Sequence, residues 1–165
     1  MRFVMKQKIF SLRDSFEIFD ENDTLAYVAK GGFVSIRKGL TLKNNSDQNV
    51  AKIRQKLIAW KPTFYIKFNN GYRCKIKKCF FPLFKSRFLI TTPQAEIVID
   101  GDFWAHEYQF SCKGEEIANV SKRWFSFSDT YGVDIKYPED VELILSAVAV
   151  IDMVIHDDSG SISSD

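Results

Sequence analysis

The segment Asp100-Gly101-Asp102-Phe103-Trp104-Ala105-His106-Glu107 places three carboxylates and one of only two histidines within eight residues, a set that could ligate a divalent cation. Its spacing argues against that chemistry. On a regular strand after Gly101-Asp102, His106 shares a face with Trp104, Tyr108 and Phe110, while Glu107 points the other way. His106 is therefore expected as a core or rim histidine, and Asp102, following Gly101, as a turn residue. Asp20-Glu21-Asn22-Asp23 resembles a loose calcium loop but lacks the Gly and the distal Glu of an EF-hand. Ser121-Lys122 offers a hydroxyl and an amine, yet neighbours on a strand face opposite sides. Cys74, Cys79 and Cys112 contain no Cys-x-x-Cys pair, and His106 and His156 are too scattered to complete a zinc set. No Gly-x-Ser-x-Gly, phosphate-cradling Gly loop or His-Glu-x-x-His occurs. The expectation is a non-enzymatic protein with no catalytic residue, no metal site and no cofactor.

Charge is more informative than any motif. The net charge is only +2, but it is unevenly spread. Lys30 to Arg87 holds fifteen Lys or Arg against the single acid Asp47, a balance of +14, and the remainder carries eight bases and twenty acids, a balance of −12. Such asymmetry predicts an electropositive face unless the fold interleaves the two portions.

One hairpin can be placed in register. Phe64, Ile66 and Phe68 alternate with polar neighbours, as do Tyr72, Cys74 and Ile76, so both sets should face inward. A two-residue Asn70-Gly71 turn would set Phe68 against Arg73. A three-residue loop, Asn69-Asn70-Gly71 with Gly71 left-handed, pairs Phe68 with Tyr72 and Lys67 with Arg73. The longer loop is predicted. Lys67, Arg73 and Lys75 then point outward, and Lys52, Arg54 and Lys56 extend the set if the preceding strand is adjacent. With Lys77 and Lys78 these residues form the candidate site for an anion or lipid headgroup. Like charges directly opposite destabilise a sheet, so a tolerated Lys67–Arg73 pair suggests an anion or a carboxylate nearby.

Two readings of this face compete. In one, Glu96, Glu107, Glu115 or Glu116 neutralises it from neighbouring strands. In the other it binds lipid phosphate, where each Lys or Arg contributes about 1 kcal/mol beside an anionic leaflet. Nucleic acid is disfavoured, because the register turns Tyr72 inward and away from base stacking. Phe80-Phe81-Pro82-Leu83-Phe84, between Lys77, Lys78, Lys85 and Arg87, is either an apolar loop for a membrane interface or, as preferred here, a cover over one barrel end.

The elements that must carry these residues are mostly strands. The chain has 165 residues, 45% of them hydrophobic and 27% charged, which suits one soluble domain with one core. Fifteen Phe lean toward β structure. Alternation with period two recurs over 7–137, at Phe16 and Ile18, Leu40 and Leu42, Ala51 and Ile53, Phe64 to Phe68, and Ala95 to Ile99. Clusters such as Glu21-Asn22-Asp23, Asn44-Asn45-Ser46-Asp47 and Lys113-Gly114 separate roughly a dozen strands. Pro138, Glu139 and Asp140 then open a helix. From Val141 to Ile155 its only polar residues are Glu142, Ser146 and Asp152. A helix apolar on nearly all sides must be buried or lie in a membrane, and burial is the preferred reading because this one is short for the roughly 20 residues of a membrane span. Residues 1–157 are expected to form the domain and 158–165 a disordered acidic tail. No transmembrane span or signal peptide is expected, and reduced thiols point to the cytoplasm.

Three stretches carry a resemblance. They are Ala51-Lys52-Ile53-Arg54-Gln55-Lys56-Leu57 with Pro62-Thr63-Phe64-Tyr65-Ile66, then Ile99-Asp100-Gly101-Asp102-Phe103-Trp104, and last Ile117 to Trp124 through Asp129-Thr130-Tyr131 to Ala149-Val150-Ile151-Asp152. Over Lys8 to Asp157 the chain resembles the LURP-one-related, tubby C-terminal-like proteins, which are related to phospholipid scramblases. The resemblance implies a mainly β fold, a closed antiparallel barrel of about twelve strands around a buried C-terminal helix. Its bacterial-type members have no agreed function. Tubby members bind phosphoinositide headgroups through basic residues, scramblase relatives are associated with lipid transport, and plant members with defence. The leading expectation is a cytoplasmic binding module that docks on anionic phospholipid, at the inner membrane surface, or on a phosphorylated ligand. The alternative is a scaffold that meets an acidic protein partner, and a small-ligand carrier ranks third because so many Phe side chains fill the interior.

Overall fold

A computed structural model of the chain describes residues 1–8, 15–34, 37–80, 86–123 and 130–162. Twelve strands follow in order: β1 (Arg2–Lys8), β2 (Ser15–Phe19), β3 (Leu25–Val34), β4 (Arg37–Asn44), β5 (Asn49–Gln55), β6 (Thr63–Phe68), β7 (Arg73–Phe80), β8 (Ser86–Thr91), β9 (Glu96–Asp102), β10 (Glu107–Cys112), β11 (Glu115–Ser121) and β12 (Thr130–Ile135). Each pairs antiparallel with its neighbours in sequence, and β1 pairs with β12 to close the barrel. Closure satisfies every sheet edge internally. The first strand lies earlier than the alternation over 7–137 suggests. Phe3 and Met5 are buried, and Met5 stands opposite Tyr131 of β12 and Ile18 of β2.

After β12, Pro138–Asp140 form one 3-10 turn, and the helix α1 (Val141–Ile162) follows. Every residue from Leu143 to Ile155 is buried, which requires surroundings on all sides of the helix. Those surroundings are the inward residues of the wall, among them Phe16, Leu42, Ile53, Phe64, Ile90 and Phe110, which join the helix in one core cluster. The apolar rod is therefore wrapped by sheet, as its composition demands. A disordered tail was expected from residue 158, but helical backbone continues to Ile162. Propagating an established helix costs little per residue, and hydrogen bonds from Lys38 to Asp157 and between Gln7 and His156 hold the turn that leaves the barrel.

The meander sorts the connections to two ends. One end carries the β4–β5, β6–β7 and β8–β9 turns and the start of α1. The other carries the β5–β6 loop, the β9–β10 turn and the part of α1 around Asp152, which touches that turn at His106.

The β9–β10 turn differs from a regular strand. Phe103–His106 form a tight turn in which His106 has a φ of 54°, so His106 does not share a strand face with Trp104. Asp102 makes this a turn by accepting the Ala105 N–H at 3.0 Å. Gly101, at a φ of 145°, lets Glu107 and Tyr108 pack directly against the backbone.

Candidate functional site: a basic arc of the barrel wall

The β6–β7 hairpin has the three-residue connection its hydrophobic register requires. Phe68 N–H donates to the Tyr72 carbonyl at 2.9 Å, Gly71 has a φ of 86°, and Asn70 Oδ1 accepts the Tyr72 N–H at 2.9 Å. Lys67 is thereby set opposite Arg73, and Tyr65 opposite Lys75. On the other side β5 sets Lys52 opposite Lys67 and Arg54 opposite Tyr65. Lys52, Lys67 and Arg73 thus form a row of three cations across adjacent strands, where opposite Cβ atoms lie about 5 Å apart. Thr41 and then Lys30 continue this row on β4 and β3. Arg54, Lys75, Lys56 and Lys77 lie around it on the same outer surface.

The strand that carries Lys75 and Lys77 outward turns Lys78 inward. Lys78 is only 7% exposed, so it stands apart from the outer face on which it was expected. The cause is strict alternation: Cys74, Ile76 and Lys78 share the core side of β7. Of the Phe80–Phe84 stretch, residues 81–84 lie outside the described residues.

Among the described residues, none of Lys52, Arg54, Lys56, Lys67, Arg73, Lys75 and Lys77 makes an ion pair. Of the acids that might have neutralised them, Glu107, Glu115 and Asp47 are engaged elsewhere. Glu107 accepts from Ser121 Oγ at 2.9 Å and meets Arg123 at 3.3 Å. Glu115 bonds Lys136 and Tyr137, and these bonds hold its carboxyl below the usual range. Asp47, the one acid of the basic segment, is bonded by Lys43 at 2.9 Å, which lowers its pKa. Glu96 lies on β9, two strands beyond Lys75, and Glu116 lies on β11. Asp100 binds Arg87 at 2.5 Å, at the margin of the arc.

The topology explains why the charge survives. A pure meander cannot interleave distant segments, so the +14 segment becomes the contiguous wall β3–β8, while the acids of the remainder fall mainly on β9–β12, on the turn after β2 and on α1 with the residues around it. The asymmetry along the chain is an asymmetry around the barrel.

A model of the LURP-one-related family matches residues 1–152. The chain belongs to the LURP-one-related family. It is also 35% identical over 156 residues, 93% of each chain, to a Bacillus subtilis (strain 168) protein named "Uncharacterized protein YxjI". In this LURP-one-related barrel the stretches that carried the resemblance fall on β5–β6, on β9 with its turn, and on β11 to α1. No helix of the described residues is long and apolar enough to cross a membrane.

Two features of the site region escaped the reading of the sequence. The β5–β6 loop exposes large apolar side chains, with Trp60 99% and Ile58 89% accessible. At the same end of the barrel, Asp152 of α1 is buried and held by His106 at 2.8 Å and by the Tyr131 hydroxyl at 3.1 Å. The His106 ring stacks on Tyr131 with centroids 4.6 Å apart. The polar residue in the middle of the apolar helix was the available signal for that cluster, because a buried carboxylate needs partners. The elements of the loose calcium loop are likewise accounted for: Asp20 Oδ1 accepts the N–H groups of Asn22 and Thr24, each at 2.9 Å, and so closes the β2–β3 turn.

Proposed function

We propose that this LURP-one-related protein is a non-enzymatic binding module that docks peripherally on anionic lipid headgroups through the basic arc of β5–β7. The observation that carries this reading is the row Lys52–Lys67–Arg73, three like charges directly abreast with no ion pair among the described residues. Such a row destabilises the isolated sheet, and a polyanionic surface relieves the repulsion it creates. At an anionic leaflet each of these cations contributes about 1 kcal/mol, so the group of seven suffices for reversible attachment. The acidic remainder of the wall would be repelled by the same leaflet, which gives the docked barrel one orientation.

Sedimentation with vesicles tests this reading. Binding to phosphatidylserine-containing vesicles, absent with phosphatidylcholine alone and weakened by salt, is expected. Lys67→Glu combined with Arg73→Glu removes two favourable charges and adds two unfavourable ones, so affinity falls by about a hundredfold or more. Failure to pellet at low salt ends the proposal and leaves an acidic protein partner for the same face.

A further inference from the structure

We infer that the β5–β6 loop is an interfacial wedge that inserts Leu57, Ile58 and Trp60 into the headgroup region of an anionic bilayer beside the basic arc. This rests on the docking proposed above and adds the contact that would hold the protein where charge alone is screened.

The loop is built to present these side chains. Its base is fixed by the Lys56 N–H to the Thr63 carbonyl at 2.8 Å and by the Lys78 N–H to the Pro62 carbonyl at 3.0 Å. Thr63 Oγ1 donates to the Lys61 carbonyl at 3.0 Å. Pro62 has no N–H to continue the ladder, so the chain between Lys56 and Pro62 leaves the sheet. At its tip Leu57 is 51%, Ile58 89% and Trp60 99% exposed. Among the described residues Met1, Leu25, Tyr65 and Trp104 are exposed at separate places, whereas these three cluster on one fixed loop, and such a cluster in water is unusual.

Charge selects the occupant. Lys56 precedes the apolar tip and Lys61 follows it, while Lys77 stands opposite Thr63 at the foot of the loop. An apolar tip collared by cations matches an interface with hydrocarbon below and phosphate at the level of the collar. Trp is the side chain most at home at that level, with an apolar ring and an N–H donor. The loop continues directly from β5 and β6, which carry Lys52 and Lys67 about 13 Å farther along the same side of the barrel, with Arg73 beside them on β7, so loop and row flank one stretch of wall.

The test separates wedge from arc. Full-length protein and the triple variant Leu57→Ser, Ile58→Ser, Trp60→Ser are titrated with vesicles of phosphatidylcholine and phosphatidylserine at low salt and at roughly 0.15 M salt, where the Debye length is about 8 Å. The variant should bind at low salt through its intact arc but lose at least about tenfold in affinity at the higher salt. Trp emission should shift to the blue when vesicles are added to the parent, and that shift should be diminished in Trp60→Phe. Equal affinity of parent and variant at the higher salt overturns the wedge and leaves the arc standing, as does an unchanged Trp60 contribution in vesicle-bound protein. A parent that fails to bind at low salt overturns both. The three side chains project into solvent, so the thermal midpoint of the variant should match that of the parent.

Discussion

Asp152 on the core helix and His106 on the β9–β10 turn are bonded across one end of the barrel, Oδ1 to Nε2 at 2.8 Å. The second carboxylate oxygen accepts the Tyr131 hydroxyl at 3.1 Å, which ties the helix to β12 as well. Burial, Asp152 and the neighbouring Tyr108 all hold the Tyr131 hydroxyl well above its ordinary pKa, so it serves as a donor. The stretch Leu143–Ile155 is otherwise surrounded by apolar contacts, and among the described residues this cluster is the polar link that fixes its register inside the barrel. Asp152→Ala should therefore cost about 2–5 kcal/mol, since it leaves the His106 ring nitrogen and the Tyr131 hydroxyl without their buried hydrogen-bond partner. Tyr131→Phe should cost about 1 kcal/mol. Urea denaturation measures both, and an Asp152→Ala loss below that of Tyr131→Phe would show that the link does not anchor the helix.

The row Lys52–Lys67–Arg73 makes stability and binding respond in opposite directions. Lys67 lies between two cations, so Lys67→Glu converts two repulsive cross-strand pairs into attractive ones. The fold should gain about 0.5–1 kcal/mol, while affinity for phosphatidylserine vesicles falls. A variant that loses stability would contradict the view that this face is frustrated in the unbound protein.

Much of this architecture was legible because burial imposes period. The alternation at Phe64, Ile66 and Phe68 against Cys74 and Ile76 left one loop length for the hairpin, and the structure has it. The all-round apolarity of Leu143 to Ile155 likewise demanded enclosure. The helix end was less legible, since propagation beyond the barrel depends on tertiary bonds such as that to Asp157. Lys78 was misplaced because a lysine suggests solvent, whereas the pleat of β7 turns it toward the core. His106 was taken for a strand residue because nothing in its own segment signals a φ of 54°. The Leu57–Trp60 loop was overlooked for a simpler reason: nothing in the types of Leu57, Ile58 and Trp60 distinguishes exposed apolar residues from buried ones.

Two glycines should respond differently to the same substitution. At Gly71 a Cβ meets nothing within 4 Å, so Gly71→Ala suffers only the left-handed backbone, about 1 kcal/mol. At Gly101 a Cβ would overlap the Glu107 carbonyl and the Tyr108 backbone. Backbone cannot step aside cheaply, so Gly101→Ala should cost roughly 3 kcal/mol or more and loosen the turn that carries His106. Chemical denaturation of the two variants gives the comparison, and equal losses would mean that the β9–β10 crossing is slack.

Alkaline pH should weaken the fold through groups that burial keeps neutral. The Cys74 thiol on β7 is pushed from 9.0 up to about 12 by burial, and burial holds the Tyr108 and Tyr131 hydroxyls well above their ordinary range. Above pH 9 the unfolded chain releases the Cys74 proton while the folded barrel retains it. The unfolded state then binds fewer protons, and stability falls as pH rises from about 9 toward 12. Below pH 9 this contribution is fully present and flat. Urea midpoints should therefore hold between pH 7 and pH 8.5 and decline by pH 10.5, with a shallower decline in Cys74→Ala measured against its own value at pH 7. In the folded protein Cys74 should also resist alkylation at pH 8, because the reactive species is the thiolate. Rapid labelling of Cys74 under those conditions, confirmed by peptide mapping, would show that β7 opens far more readily than its packing against the core allows.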